Sequence, residues 1–383
     1  MRAEWGDRLS SIHTGISLFA SPMQLRAALP LFASGEIEAV EWTLDQSWEL
    51  APLPTSVTSV LDSYAAEGRL YGHGLRLSPS SARFDASSER WLRHASDVLR
   101  AHRVRHVTEH WGFSRTRGMA QGAPFPLVAS EAAIACTTHA LRALREVSGG
   151  APVGLENLAL ALSADELETQ PAMLARILDA VDGVLLFDLH NLWCQAVNYG
   201  RDVRELALHY PLGRVRQLHV AGGRWSDSAF GAPMRRDTHD DLVPAEVLEL
   251  VSWMIPRCPN LEVVILERLP ETLEDPASHE PWRAEFRALA EVVEASDPEL
   301  AVVPPATPHP PFFREATLVD LADFQDALAL TLYRTLPGTS MRDVHATLLG
   351  HPSIAPFRDE VARYDLRALE IAVELAHTWG APM

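Results

Sequence analysis

The chain has 383 residues, enough for one large domain or for a large and a small one, and 47% of them are hydrophobic, as in ordinary globular proteins. Its formal net charge of −18 argues against a surface that tracks phosphates, so we expect no nucleic acid partner. No run of about 18 apolar residues occurs and the three cysteines are widely spaced, so we expect a cytoplasmic protein without a membrane span, signal peptide or disulfide framework.

Short apolar runs recur along the first three quarters of the chain, and a longer segment with helical periodicity follows each of them. Eight such runs lie at residues 15–18, 39–45, 72–78, 106–113, 152–158, 183–192, 215–221 and 262–269. Amphipathic segments separate them, for example at residues 86–102, 130–147, 170–181 and 244–255. Eight βα units predict an α/β fold, a (β/α)8 TIM barrel, over residues 1–296.

The composition changes after Ser296. Six prolines between Pro298 and Pro311 predict a proline-rich linker over residues 297–316. Helical patterns follow at residues 318–336, 341–349 and 354–379, with Gly338 and Gly350 as plausible stops. We therefore predict a small all-α C-terminal module over residues 317–383.

Polar side chains stand at the C-terminal ends of six successive predicted strands, or in the loops that follow them. In a barrel of this kind these ends face one shared pocket. Several of the residues interrupt runs that are otherwise apolar, where a carboxylate is costly unless it is paired or bound to metal. They are His73, Glu109, His110, Glu156, Asn157, Asp188, His190, Asn191, His219, Asp237, His239, Asp240 and Glu267.

This set favours a metal site with more than one ion. Imidazole and carboxylate donors without thiolates suit iron, zinc or manganese. The donors outnumber what one ion can coordinate, and shared carboxylates would offset repulsion between neighbouring cations. His73, Glu156, Asp188, His219, His239 and Glu267 are the firmest ligand candidates from the pattern.

Each residue also has a simpler interpretation. A single histidine on a strand is usually a hydrogen-bonded core residue, and a single buried acid is usually paired with arginine. Glu109 and His190 could support ligands or pair with arginine, and Asn191 could be a ligand or an orienting group. Residues 119–126 predict a mobile loop over the pocket or a surface excursion. Trp111, Trp193 and Trp225 could line a substrate groove or cap the barrel core.

The ordered motifs resemble a known family. They are Gly72-His73-Gly74, Thr108-Glu109-His110-Trp111, Gly154-Leu155-Glu156-Asn157, Asp188-Leu189-His190-Asn191, Gln217-Leu218-His219-Val220, Asp237-Thr238-His239-Asp240 and Leu266-Glu267. Together they resemble the multinuclear non-haem iron-dependent oxidases, whose best-known member works in methanobactin biosynthesis. The resemblance covers most of residues 13–295.

The resemblance implies a peptide-modifying oxidoreductase with two or three iron ions, Fe2+ or Fe3+, and dioxygen as oxidant. Its substrate would be a side chain, commonly of cysteine, or a C-terminal residue of a ribosomally made precursor peptide that a partner protein presents. Carried over by position, the metal ligands would be His73, His110, Glu156, Asp188, Asn191, His219, Asp237, His239 and Glu267. We assign catalytic roles to three other polar residues of the set, Glu109, His190 and Asp240.

Two departures from the family pattern put the number of metal ions in question. Gly223 stands where the family often has a histidine, and the motif after strand one is altered around Phe19-Ala20-Ser21-Pro22. The C-terminal module has no secure resemblance. Our hypothesis is that it helps to hold the precursor, and the alternative is a purely structural appendage.

Two rival functions use the same residues. The first is a zinc- or manganese-dependent sugar isomerase- or phosphodiesterase-like barrel, which would carry out redox-neutral chemistry. The second is a non-catalytic metal-binding scaffold, which would have a filled coordination shell. The identity of the bound metal separates the oxidase from the first rival.

Overall fold

A computed structural model describes residues 12–46, 48, 52–296 and 313–382. Its strands are β1 (His13–Leu18), β2 (Ala39–Thr43), β3 (Leu70–Gly74), β4 (Val107–His110), β5 (Phe113–Arg115), β6 (Met119–Phe125), β7 (Val153–Glu156), β8 (Val184–Asp188), β9 (Val215–Val220), β10 (Trp225–Ser228), β11 (Gly231–Arg235), β12 (Val263–Leu266) and β13 (Ala381–Pro382). Eight of them, β1, β2, β3, β4, β7, β8, β9 and β12, close a parallel barrel in which chain neighbours are also spatial neighbours. The predicted TIM barrel is confirmed.

The barrel strands are apolar because they are covered on both sides. All residues of β8, Val-Leu-Leu-Phe-Asp, are buried, as expected when helices cover the outside of a parallel sheet. Gly154 allows β7 to approach β8 closely, since a Cβ atom there would lie 2.1 Å from the Val184 carbonyl oxygen.

Helices cover the barrel and continue beyond it. They are α1 (Pro22–Ser34), α2 (Thr55–Ala66), α3 (Ala86–Ala101), α4 (Glu131–Val147), α5 (Ala164–Val181), α6 (Leu189–Asn198), α7 (Val203–Ala207), α8 (Ala245–Met254), α9 (His279–Ala295), α10 (Leu318–Tyr333), α11 (Met341–Gly350), α12 (Arg358–Val361) and α13 (Leu366–Trp379), with shorter 3-10 turns at Leu212–Arg214, Ile255–Arg257, Pro270–Leu273, Pro276–Ser278 and Pro352–Phe357. Side chains cap α3, α4 and α5 at their N-termini, from Asp85, Ser130 and Ser163 respectively.

Two insertions extend the C-terminal face of the barrel. Strands β10 and β11 form an antiparallel hairpin after β9. Strands β5 and β6 form another after β4, and β13 pairs with β6 to complete a three-stranded sheet. The segment predicted as a loop at residues 119–126 is therefore largely strand β6. It pairs with the adjacent β5 and with β13, which is distant in sequence and which the local pattern does not reveal.

The C-terminal segment is helical, as predicted, but residues 354–379 do not form one helix. A 3-10 turn at Pro352–Phe357 and the short α12 precede α13. Pro356 lies inside that turn. Asp365 then caps α13 by accepting from the Arg367 amide at 2.8 Å, while its own amide donates to the Leu162 carbonyl at 2.7 Å. The break fixes the start of α13 against the barrel.

The C-terminal helices pack on loops at the C-terminal face of the barrel. The buried amide of Gln325 accepts from the Ala82 amide and donates to the Ser80 carbonyl, both at 2.8 Å. On the β10–β11 side, Ser228 donates to Glu370 and Arg236 pairs with Glu374, both at 2.7 Å. The helices thus clasp the rim on which the candidate site lies.

The predicted boundaries of the domains, 1–296, 297–316 and 317–383, remain predictions. Most of the predicted linker lies outside the described residues. Its described end is attached to the barrel, because Arg314 bridges to Ser130 at the start of α4. Among the described helices, none combines the length and the apolar character that a bilayer crossing requires.

Candidate metal centre

Six of the predicted ligands meet inside the C-terminal mouth of the barrel. His73 lies on β3, His110 on β4, Glu156 on β7, Asp188 on β8 and His219 on β9, and Glu267 directly follows β12. His110 is the most exposed, with 29% of its side chain accessible, whereas the other five side chains are at most 7% exposed. The strands therefore bring these side chains into one buried cluster, which is most accessible to solvent at His110.

Two groups of these side chains have the spacing of metal ligands. The first group is His73, His110 and Glu156, and the second is Glu156, Asp188, His219 and Glu267. Within each group, one candidate donor atom per residue lies within 4.8 Å of the others. Each group can therefore hold one ion.

Glu156 belongs to both groups through different oxygen atoms. Its Oε2 lies 2.9 Å from His110 Nε2 and 3.3 Å from His73 Nε2. Its Oε1 lies 3.2 Å from His219 Nδ1, which is also 3.2 Å from Glu267 Oε2. A carboxylate placed in this way can bridge two cations.

Asp237 and His239 extend the second group from the loop after β11. His239 Nε2 lies 2.7 Å from Asp237 Oδ2 and 3.7 Å from Glu267 Oε2. His190 Nδ1 lies 2.8 Å from the other Asp237 oxygen, so His190 positions Asp237 instead of joining the two ligand groups. His239 has a φ of +53°, a left-handed conformation that is uncommon for residues other than glycine and is frequent at functional sites.

Asn157 and Asn191 fix the end of β8. Asn157 accepts from the Asp188 amide at 2.7 Å and donates to the Asp188 carbonyl at 3.0 Å. Asn191 donates its side-chain amide to the Asn157 carbonyl at 3.1 Å. The Asn191 Oδ1 atom is buried and has no hydrogen-bond partner, so it is available as a ligand.

Glu41 is a site residue that our sequence analysis missed. It lies on β2, is fully buried, and its Oε2 accepts from His219 Nε2 at 2.8 Å. This contact leaves His219 Nδ1 free to face the ligand group, the arrangement by which carboxylates orient metal-binding histidines. The signal was a lone carboxylate in the apolar run Ala-Val-Glu-Trp-Thr.

A second buried contact orients His73. Thr108 donates its hydroxyl to the Gly72 carbonyl, so its oxygen accepts from His73 Nδ1 at 2.9 Å. The His73 Nε2 atom then faces Glu156, at 3.3 Å from its Oε2. It is the ring nitrogen that would bind an ion.

In the absence of a cation, the buried charges of the cluster shift the pKa values of its side chains towards the protonated forms of His219 and Asp188. Burial opposes charged histidine, but the Glu267 and Glu41 carboxylates outweigh it and raise the pKa of His219 well above its usual range. Burial, followed by the Asp237 and Glu156 carboxylates, raises the pKa of Asp188 well above its usual range. Bound cations would replace these protons.

The residues present fit metal ions. His73 Nε2, Asp188 Oδ2 and Asn191 Oδ1 are all buried and have no hydrogen-bond partner. Unpaired buried polar atoms are rare in folded proteins and need an explanation. An ion coordinated by nitrogen and oxygen donors would satisfy them.

Two of the predicted catalytic residues are not brought to this cluster. Strand residues alternate between faces, so Glu109 points away from His110. Its carboxylate accepts a hydrogen bond at 3.2 Å from the amide of Leu77, which lies in the loop between β3 and α3. Burial and the nearby Asp45 raise the pKa of Glu109 well above its usual range. Asp240 accepts from Thr238 at 2.5 Å and pairs with Arg224.

Gly223 is required by the path of the loop that carries Asp237 and His239. A Cβ atom at Gly223 would lie 2.1 Å from the Arg236 carbonyl oxygen and 2.8 Å from the Thr238 nitrogen. A histidine therefore has no room at this position in the present arrangement. The backbone of residues 236–238 occupies the space that a side chain would need.

Comparison with known proteins identifies the family to which the chain is similar. The family model described as "RiPP precursor modification enzyme MbnB/TglH/ChrH" matches residues 39–275. A UPF0276 protein of Bordetella pertussis is 28% identical over 184 residues, which are 48% of this chain and 63% of that protein. A UPF0276 protein of Anaeromyxobacter is 27% identical over 209 residues, which are 54% of this chain and 71% of that protein. The chain thus spans less than two thirds of the Bordetella relative.

Solved structures with similar folds are more distant. Endonuclease IV from Thermus thermophilus is 16% identical with a TM-score of 0.47, and covers 73% of this chain and 99% of its own. A xylose isomerase-like TIM barrel protein from Mycobacterium smegmatis, in complex with magnesium, is 14% identical with a TM-score of 0.45, and covers 74% of this chain and 98% of its own.

Proposed function

Since this chain belongs to the family described as RiPP precursor modification enzymes MbnB/TglH/ChrH, we propose that it is a multinuclear non-haem iron oxidase. It would use dioxygen to modify a side chain or the C-terminal residue of a ribosomally made precursor peptide in the cytoplasm. The observation that carries the proposal is Glu156, whose two oxygens face two separate ligand groups. This geometry favours a centre with at least two ions.

The two ligand groups suit different tasks. His73, His110 and Glu156 supply three donors, which leaves coordination positions for other ligands. The second group supplies four donors that are all deeply buried. The substrate would therefore approach the first group, at the more exposed His110. Bound iron would supply the one-electron chemistry that these side chains lack.

The protein itself orients the ligands and excludes water. Glu41 and Thr108 select the ring nitrogens with which His219 and His73 face the cluster. His190 holds Asp237 through one carboxylate oxygen, which leaves the other beside His239. Such supporting contacts fix the ligands before substrate arrives, so that little reorganisation is needed.

The partners in this proposal are the precursor peptide and a partner protein that presents it. The fused C-terminal helices are candidates for part of that presenting role. Their contacts with the loops after β3 and β9, through Gln325 and Glu374, support this idea because they lie on the same rim as the metal cluster.

Metal analysis tests the proposal directly. The full chain is purified without oxygen and examined by elemental analysis and Mössbauer spectroscopy. We expect two or three irons per chain and spectra of coupled ions. Stoichiometric zinc or manganese without iron would favour the redox-neutral isomerase- or phosphodiesterase-like barrel instead.

The reaction is tested by co-expression with a short precursor gene, which we expect beside this one in the genome. We expect a change in peptide mass that requires both dioxygen and iron. An unchanged peptide with iron-loaded protein and dioxygen would contradict the proposed substrate class.

A further inference from the structure

The guanidinium of Arg235 lies over two tryptophan rings. Its guanidinium carbon is 4.9 Å from the centre of the Trp193 ring and 5.6 Å from the centre of the Trp225 ring. Trp225 is directly opposite Arg235 in the register of the β10–β11 hairpin, so the two side chains share a face. Trp193 comes from α6. The contact is thus assembled from two separate elements.

The charge of Arg235 has no partner in the described part of the chain. The residue is only 9% exposed, and its buried Nε atom has no hydrogen-bond acceptor. Three other arginines of this region are paired with carboxylates: Arg224 with Asp240, Arg236 with Glu374 and Arg268 with Glu285. Burying a guanidinium without a counter-charge is costly. The presence of Arg235 at this position therefore indicates a ligand that supplies the negative charge.

The position of Arg235 links this site to the metal cluster. The Trp193 ring stacks on His190 at 5.9 Å, and His190 Nδ1 is 2.8 Å from Asp237, two residues after Arg235. On the other side, Trp225 is 51% exposed. Of the two rings that Arg235 contacts, Trp193 therefore packs on His190, which supports Asp237, and Trp225 faces solvent. Trp111, by contrast, is buried and caps the core.

We propose that Arg235, packed against Trp193 and Trp225, binds a carboxylate of the substrate beside the metal centre. The inference deepens the proposed function, on which it rests for the peptide nature of the substrate. A guanidinium that packs on aromatic rings still presents N–H groups along its edge, and this edge pairs with a carboxylate through two parallel hydrogen bonds. The carboxylate could be the C-terminal group of the peptide or an Asp or Glu side chain.

The surrounding charge favours a carboxylate over a phosphate. Asp237 follows Arg235 by two residues, and the whole chain has a formal net charge of −18. One guanidinium can offset one negative charge in such surroundings, but a phosphate dianion would meet repulsion from the neighbouring acids.

The test uses small probes on metal-loaded full-length protein, with binding followed by ligand-detected NMR. N-acetylglycine represents a peptide C-terminus, N-acetylaspartic acid α-amide represents a side-chain carboxylate, and N-acetylglycinamide is the neutral control. We expect N-acetylglycine to bind at least about tenfold more tightly than its amide, as for a hydrogen-bonded charge pair. The probe that binds more tightly shows whether the substrate carboxylate is a peptide C-terminus or an acidic side chain.

The variant Arg235→Gln should lose about tenfold or more of the carboxylate affinity. Arg235→Lys should fall between, because an ammonium cannot form the planar double contact. Arg236→Gln is the matched control, since Arg236 is adjacent but already paired with Glu374. Trp225→Leu removes an exposed ring and should weaken binding about threefold without disturbing the core. Metal content is measured for each variant, because carboxylates also bind metal directly.

Two results would overturn the inference. One is equal N-acetylglycine affinity in Arg235→Gln and Arg236→Gln at equal metal content, with Trp225→Leu also unchanged. The other is inorganic phosphate binding more tightly than N-acetylglycine. The outcome is separable from that of the proposed function: Arg235-dependent carboxylate binding by a protein that holds zinc and no iron would sustain this site and refute the oxidase.

Discussion

Glu156 is the residue whose loss should disturb the largest part of the site. We predict that Glu156→Gln loses metal from both ligand groups, because each group uses one of its oxygens. The affinity for metal should fall by at least about tenfold, since even changes to groups that only support ligands cost that much. Metal content after dialysis against a weak chelator measures the loss.

Glu109→Gln is the matched control for that variant. Like Glu156, Glu109 is a buried glutamate on a barrel strand. It lies on the face of β4 opposite to that of the predicted ligand His110. Its raised pKa favours the neutral acid, which glutamine resembles in shape and charge. We expect unchanged metal content. A loss equal to that of Glu156→Gln would mean that both glutamates serve the metal centre.

His239 should make the stability of the metal-free protein depend on pH. Burial disfavours its charged form, but Asp237 and Glu267 outweigh burial and raise the pKa of His239 to about 10 from an ordinary value of 6.5. The stabilisation by this raised pKa is complete below pH 6.5 and is lost as pH rises through about 10. We expect the melting temperature to fall across this window.

The variant His239→Gln should reduce the fall of the melting temperature with rising pH. His345→Gln is the control, because His345 lies in α11 and donates to the Val361 carbonyl, away from the cluster. Calorimetry in chelator between pH 6.5 and pH 10 checks both. The same slope in wild type and His239→Gln would contradict the assignment.

Some site residues could be predicted from the sequence, and others could not. The carboxylates of Asp188 and Glu267 were visible because each ends an apolar strand. Glu41 was missed because it lies in the middle of β2, where only the closed barrel brings it to His219. The opposite directions of Glu109 and His110 follow from strand alternation alone, but only once β4 is known to include both.

Among the elements, the loop after β11 depends most sharply on one small residue. We predict that Gly223→Ala displaces the Arg236 to Thr238 backbone, on which Asp237 and His239 are carried, because the added Cβ would overlap it. The variant should lose about 2 kcal/mol or more of stability, together with metal affinity. Thermal unfolding and metal analysis measure the two effects.

Gly213→Ala provides the comparison for Gly223→Ala. A Cβ atom at Gly213 meets nothing within 4 Å, and the residue does not have a positive φ. We expect unchanged stability and metal content. If Gly223→Ala behaved in the same way, the loop would have another route past residue 223.

The eight barrel strands were predictable because each is an apolar run followed by a helix with a separate polar face. Each of the errors at element level involves a contact with a distant part of the chain. Strand β6 exists through pairing with β5 and β13. The break before α13 depends on the Asp365 amide donating to Leu162 in the barrel. No local periodicity encodes either contact.

In the whole molecule, Gln325 connects the C-terminal helices to the barrel rim. We predict that Gln325→Leu destabilises the protein by about 2 kcal/mol or more, because it leaves the Ala82 amide and the Ser80 carbonyl without these partners. Hydrogen exchange should accelerate around residues 80–83. Denaturant unfolding and exchange mass spectrometry measure the two effects.

Asp323→Asn is the control on the same helix. Asp323 pairs with Arg83 at 3.2 Å, but both side chains are at least 35% exposed, so the change should cost less than about 0.5 kcal/mol. Equal effects of the two variants would show that the rim does not depend on the Gln325 contacts. Removing residues 300–383 would disturb the same contacts, so the docking role of the module needs surface variants instead.

The clasp between Gln325 and the loop after β3 joins residues 243 positions apart in the chain. Ribosomes add about 5–20 residues per second, so the barrel sequence leaves the ribosome on the order of ten seconds before synthesis of the C-terminal helices is finished. During this interval the mouth of the nascent barrel lacks its clasp. Metal ions and chaperones therefore have their widest access to the ligands before the newly made chain is released.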